Sequence, residues 1–151
     1  MSTESTDKYP KIRSVKPLDG VMLEVDFGKD GVKDVDVSFL LKKKRGAVLA
    51  DPSLFATVQV GEYGAYVEWP DIIGVAGNDL WRLALERTGE AMPASEFAAW
   101  MERMGLSLSA AADYLGLTRR AVTYYKTGGR LIPKVVMLAC RALELERKSA
   151  A

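Results

Sequence analysis

Hydrophobic and polar residues follow two different periods in the two halves of the chain. Between Val21 and Phe27 the apolar residues Val21, Leu23, Val25 and Phe27 take every second place, with Met22, Glu24 and Asp26 between them. Successive side chains of a strand point to opposite faces, so this alternation predicts a strand covered on one face. Gly28-Lys29-Asp30-Gly31 predicts a hairpin turn into a strand over residues 32–37, with Val35 and Val37 inward and Asp34 and Asp36 outward. A second hairpin is expected from residues 57–60 to residues 65–69 across Gly61-Glu62-Tyr63-Gly64. Short helices fit residues 38–44 and 51–55, the latter with Asp51 as N-cap and Pro52 at the first helical position. Residues 12–16 suit an edge strand ended by Pro17, residues 71–78 an apolar loop, and residues 79–87 a closing helix. The expectation is a polar, disordered tail over residues 1–8 and a small α+β domain with a mainly antiparallel sheet over residues 9–88.

Past Glu86-Arg87-Thr88-Gly89-Glu90-Ala91-Met92-Pro93 the period becomes helical. Gly89 suits a helix end and Pro93 the first turn of the next helix. Residues 96–104 turn Phe97, Trp100 and Met101 inward, and residues 133–145 carry Val136, Ala139, Cys140 and Leu143 on one stripe. Residues 108–127 match the twenty-position pattern of two helices crossing at a tight turn. Ala112 stands where a larger side chain would push the helices apart, and Gly116 stands at the turn, where positive φ is wanted. Ala111, Leu115, Leu117, Val122 and Tyr125 take the apolar places that pin the second helix to the first, while Ser107 and Thr118 can cap the two helices. The second half is therefore expected to be an all-α bundle of five helices over residues 93–147, giving an α+β chain of two domains.

Composition narrows the chemistry. The 151 residues are 48% apolar and 27% charged, a globular composition with no run long enough to span a bilayer. The N-terminus is polar instead of basic and then apolar, so a cytoplasmic protein is expected. One cysteine and no histidine exclude an internal disulfide, Cys/His zinc sites and imidazole catalysis, which leaves carboxylate, lysine or tyrosine chemistry; with no clustered carboxylates in the sequence, no enzyme activity, catalytic residue, metal or cofactor is expected. Charge divides unevenly: residues 1–90 hold 12 Lys/Arg against 15 Asp/Glu, and residues 91–151 hold 9 against 5. Only the second half has the sign that attracts a polyanion.

The run Gly105-Leu106-Ser107-Leu108-Ser109-Ala110-Ala111-Ala112-Asp113-Tyr114-Leu115-Gly116-Leu117-Thr118-Arg119-Arg120, continuing through Ala121-Val122-Thr123-Tyr124-Tyr125-Lys126-Thr127-Gly128 to Ile132-Pro133, resembles the Cro/phage-repressor (lambda repressor-like) helix-turn-helix family. The resemblance covers about a third of the chain. It implies double-stranded DNA as partner, with the second helix in the major groove and Thr118, Arg119, Arg120, Thr123, Tyr124 and Thr127 facing the bases. A guanidinium can donate two hydrogen bonds to guanine O6 and N7, which makes Arg119 and Arg120 the expected base readers. Ser107, Lys126 and Arg130 are expected at phosphates, where they add salt-sensitive affinity without sequence information. Leu108 departs from the glutamine that the family often carries there.

In the first half, Ile12-Arg13-Ser14-Val15, then Leu23, Val25, Phe27, Gly31, Asp34-Val35, Asp51-Pro52, Phe55, Trp69-Pro70 and Asp79-Leu80, resembles the bacterial domain-of-unknown-function family 2442. That resemblance brings no established chemistry and implies partner binding. Asp34 and Asp36 share a strand face that is either a metal site or solvated. Lys42-Lys43-Lys44-Arg45 is either a phosphate contact or a solvated helix end. Trp69, Tyr63 and Tyr66 are either sheet core or a contact patch, and Cys140 reads as a buried small hydrophobe. The leading expectation is a homodimeric, repressor-like transcription regulator whose first domain senses a ligand, binds a partner or dimerises. The alternative is an antitoxin that neutralises a toxin-like protein partner and represses their shared operon.

Overall fold

The computed structural model describes residues 10–150, so the tail expected over residues 1–8 lies outside the described residues. The fold mixes α and β, with three small antiparallel sheets and six α-helices among the described residues. The chain divides into two compact units between Arg87 and Thr88. Among the described residues no helix is long and apolar enough to cross a membrane.

In the first unit the alternating run becomes β2 (Met22–Asp26), the centre of a sheet flanked by β1 (Ser14–Leu18) and β3 (Val32–Asp36). Leu23 pairs with Val35 across the sheet, and both are fully buried with Val25 and Val37, as the period-two pattern requires. Two expectations need correction here. Val21 does not begin the strand; it sits half-buried at φ +59, a left-handed conformation rarely taken by a β-branched residue. Pro17 does not end β1 but lies inside it opposite Leu23, because an edge strand can spare the missing N–H.

A second sheet holds β4 (Gln59–Val60), β5 (Tyr66–Trp69) and β6 (Ile73–Ala76), where one sheet and an apolar loop over residues 71–78 were expected. β6 is four residues interrupted by Gly74, too short for a period to show in sequence; its pairing of Val75 with Val67 comes from β5. Asp51 caps α1 (Pro52–Phe55) as expected, its Oδ1 accepting from the Ser53 N–H at 3.0 Å and the Ser53 hydroxyl at 2.8 Å. Trp69 is core: its Nε1 donates to the Phe55 carbonyl at 2.8 Å and its ring stacks on Phe55 at 5.5 Å, so its one polar atom is satisfied on burial. α2 (Gly77–Arg87) adds Leu80 and Ala84, with Trp81 edge-on to Phe27 at 5.1 Å. Residues 38–42 form a tight 3-10 turn, and a second one at residues 46–50, which the sequence pattern does not announce, buries Leu49.

The second unit contains α3 (Ala94–Met104), α4 (Leu108–Leu115), α5 (Arg119–Thr127) and α6 (Lys134–Ala150), four helices where five were expected. After α5 the chain turns through Gly128 and Gly129 and runs extended, so that β8 (Ile132–Pro133) pairs with β7 (Ala91–Met92). Two glycines and a proline disfavour any helix there, and the ladder buries Ile132 and Met92 instead. Pro93 stands at the N-cap of α3, one place earlier than expected. Phe97, Trp100, Met101 and Met104 of α3 pack with Ala111, Ala112, Val122, Tyr125, Val136, Met137 and Cys140. Burial pushes the Cys140 thiol up to about 12, which makes it unreactive at neutral pH. Arg103 ties α3 to α6 with two hydrogen bonds to Glu144, at 2.8 and 3.0 Å.

Candidate nucleic-acid interface

Local chemistry sets the two helices that carry the candidate residues. The Ser107 hydroxyl oxygen accepts from the Ala110 N–H at 3.1 Å, starting α4. Gly116 ends it at φ +70, and the next N–H, from Leu117, returns to the Ala112 carbonyl at 2.9 Å. A side chain at Gly116 would find open space, so the demand for glycine is conformational and not steric. Thr118 starts α5 by accepting from the Ala121 N–H at 3.0 Å. Ala111 and Ala112 are buried between the helices, and Val122 and Tyr125 fasten α5 from its inner face.

At about 3.6 residues per turn, an inner face of Val122 and Tyr125 leaves Arg120, Thr123, Tyr124 and Thr127 outward and Arg119 and Lys126 at the margins. Thr118, Arg119, Arg120, Lys126 and Thr127 are exposed, and Thr123 and Tyr124 half-buried. α5 has no acidic residue, and its first turn carries two cations at the end where the helix dipole opposes them, a cost of roughly 0.3–1 kcal/mol each. The Thr123 and Thr127 hydroxyls donate back to the Arg119 and Thr123 carbonyls at 3.0 Å, so what they offer outward is a methyl group and an acceptor.

Tyr124 organises the cations around it. Arg120 donates from Nε and Nη2 to the Tyr124 hydroxyl at 3.3 and 3.2 Å, and its guanidinium lies 5.6 Å from the ring centroid. The Arg130 guanidinium lies over the same ring at 4.6 Å. The hydrogen bond from Arg120, and then its charge, lower the Tyr124 hydroxyl from its usual pKa. Gly129 permits this arrangement: a Cβ there would stand 3.1 Å from the Tyr124 ring, and its N–H donates to the Tyr124 carbonyl at 2.9 Å. With Nε and one N–H of Nη2 directed to the tyrosine hydroxyl, the end-on Nη edge of Arg120 makes no hydrogen bond among the described residues, and such an edge can donate to a planar acceptor pair. The sequence reading separated Arg130 from the outward residues of α5; the structure brings it onto Tyr124 beside Arg120. The Gly128-Gly129 doublet was the available signal. Ser107 stays at the start of α4, its oxygen occupied by the cap.

The first-unit candidates do not assemble into a site. Asp36 accepts from the Ser38 N–H in a turn, Asp34 faces Glu24 across the sheet, and no metal-holding group of His, Cys, Asp or Glu exists among the described residues. Lys42, Lys43 and Lys44 are exposed, and Arg45 reaches the Asp71 carbonyl at 3.4 Å. Tyr66 is half-buried, whereas Tyr63 is 86% exposed.

No protein-family model matches the chain, and no curated protein does. A solved structure from Nitrosomonas europaea, described as that of a "putative DNA binding protein", is similar at 36% identity, covering 90% of this chain and 87% of that one with a TM-score of 0.55. An identity this high over nearly the whole of both chains means that the protein belongs to the same family as its Nitrosomonas europaea counterpart.

Proposed function

We propose that the chain is a sequence-specific DNA-binding transcription regulator, repressor-like, that acts as a homodimer and has no enzymatic activity. In this reading α4, the Gly116 turn and α5 form a phage-repressor-type helix-turn-helix, and α5 enters the major groove. One observation carries it: the outward face of α5 presents an Arg120 already oriented by Tyr124, with Arg119 exposed at its margin, on a helix whose dipole disfavours cations there. A fold optimised for stability alone would place acidic residues in that turn. The description of the Nitrosomonas europaea relative supports the same partner. Arg130 and Lys126 supply phosphate contacts at the edge of the face. One such helix spans few base pairs, and two copies on half-sites about 34 Å apart gain both affinity and specificity. The first unit then serves a ligand or a protein partner.

Selection of bound duplexes from a random DNA pool tests this, run on the native chain and on Arg119→Ala with Arg120→Ala. A two-fold symmetric motif enriched by the native chain alone is the expected outcome. No enrichment at either about 50 or 200 mM salt, a range over which phosphate-driven binding changes steeply, would overturn it.

A further inference from the structure

Helix α6 has a second apolar face that nothing among the described residues covers. Val136, Met137 and Cys140 point into the core, while Val135, Leu138, Ala142 and Leu145 stand in solvent, with Val135 70%, Leu138 49% and Leu145 65% exposed. Single exposed apolar residues need no explanation. These four alternate in steps of three and four, which places them on one stripe at the a and d positions of a heptad. The residues flanking the stripe differ between its two sides: the cations Lys134, Arg141 and Lys148 lie on one side, Ala139 and the anion Glu146 on the other. Arg141 and Glu146 make no hydrogen bond or ion pair among the described residues, unlike Glu144 and Arg147, which bond to Arg103 and to the Met104 carbonyl.

We propose that this face of α6 docks a second copy of the chain, with the two α6 helices parallel and Val135, Leu138, Ala142 and Leu145 forming the seam. Charge selects both occupant and direction. In a parallel pair Arg141 of each copy meets Glu146 of the other, so the two-fold makes the attraction twice; an antiparallel pair sets the Lys134, Arg141 and Lys148 edge against its own copy. A seam of four side chains on one helix makes free association weak, with a dissociation constant on the order of micromolar to millimolar. The inference rests on the dimer element of the function proposed above and gives it a location.

Sedimentation equilibrium without DNA, from about 5 μM to 1 mM, tests it. The native chain passes from monomer to dimer, and Leu138→Glu with Leu145→Glu weakens dimerisation at least about tenfold while leaving the helical circular dichroism of the monomer unchanged, since both side chains already face water. Arg141→Glu weakens the dimer, and adding Glu146→Arg restores it. Leu145→Cys cross-links to its own copy under mild oxidation, the buried native Cys140 staying silent. A monomer at all concentrations, a dimer unaffected by the two glutamates, or a dimer strengthened by Arg141→Glu would each overturn the proposal. DNA plays no part in these readouts, so their failure and failure of the DNA-reading function are distinguishable.

Discussion

A single tyrosine decides how the candidate interface is arranged. Tyr124 holds one edge of Arg120 through its hydroxyl and carries Arg130 on its ring, so two cations are ordered by one aromatic side chain. Pre-ordering an arginine fork reduces the entropy lost when it engages a base. Arg120→Ala should cost about 1–3 kcal/mol of discrimination at one base position in each half-site, read by competition between single-base variants of the selected duplex. Tyr124→Phe keeps the ring under Arg130 but frees Arg120, so it should lose part of the same discrimination at the same position. Equal loss at every position for either variant would assign Arg120 to phosphate instead.

The helices are held by contacts of two kinds. Caps and turns are local: Asp51, Ser107 and Thr118 each bond an N–H two or three residues on. Crossings depend on volume. Ala112 is 5% exposed between α4 and α5, and Ala112→Leu should cost about 1–3 kcal/mol in denaturant unfolding by overpacking, and weaken DNA binding as α5 is displaced. The α3 to α6 tie is electrostatic. The Arg103 hydrogen bonds hold the Glu144 carboxyl below its ordinary 4.5, so the folded state binds its proton less readily than the unfolded chain does. That contribution is complete above the ordinary value and is lost as pH falls through the depressed one. Glu144→Gln should therefore show a shallower loss of stability than the native chain below about pH 4.5; coincident acid limbs would remove the pair as a source of pH dependence.

Across the whole molecule the charge is nearly balanced, with 21 Lys/Arg against 20 Asp/Glu, yet residues 91–151 carry the basic excess. Attraction to a polyanion is thus directed to the unit that bears α5. Affinity for DNA should fall steeply between about 50 and 200 mM salt, and Lys126→Ala or Arg130→Ala should each reduce the salt slope by about 1 without changing the preferred sequence. An unchanged slope in both variants would place the phosphate contacts elsewhere.

The sequence by itself determined what depends on near neighbours. Alternation placed β2, β3 and β5, helical periodicity placed α2 to α6, and the capping residues marked three helix starts, because a strand face, a helix stripe and a capping bond each join residues only a few positions apart. Tertiary structure alone decided what depends on distant partners. β6, β7 and β8 are too short to show a period and exist because another strand pairs with them. Pro17 is admitted to a strand because that strand is an edge, and Arg130 reaches Tyr124 because Gly128 and Gly129 reverse the chain. The stripe on α6 is the sharpest case. Its spacing is written in the sequence beside that of the buried stripe on the same helix, but that it stays uncovered is settled by where α3, α4 and the β7–β8 ladder pack, since burial belongs to the neighbours that surround a residue and not to the residue itself.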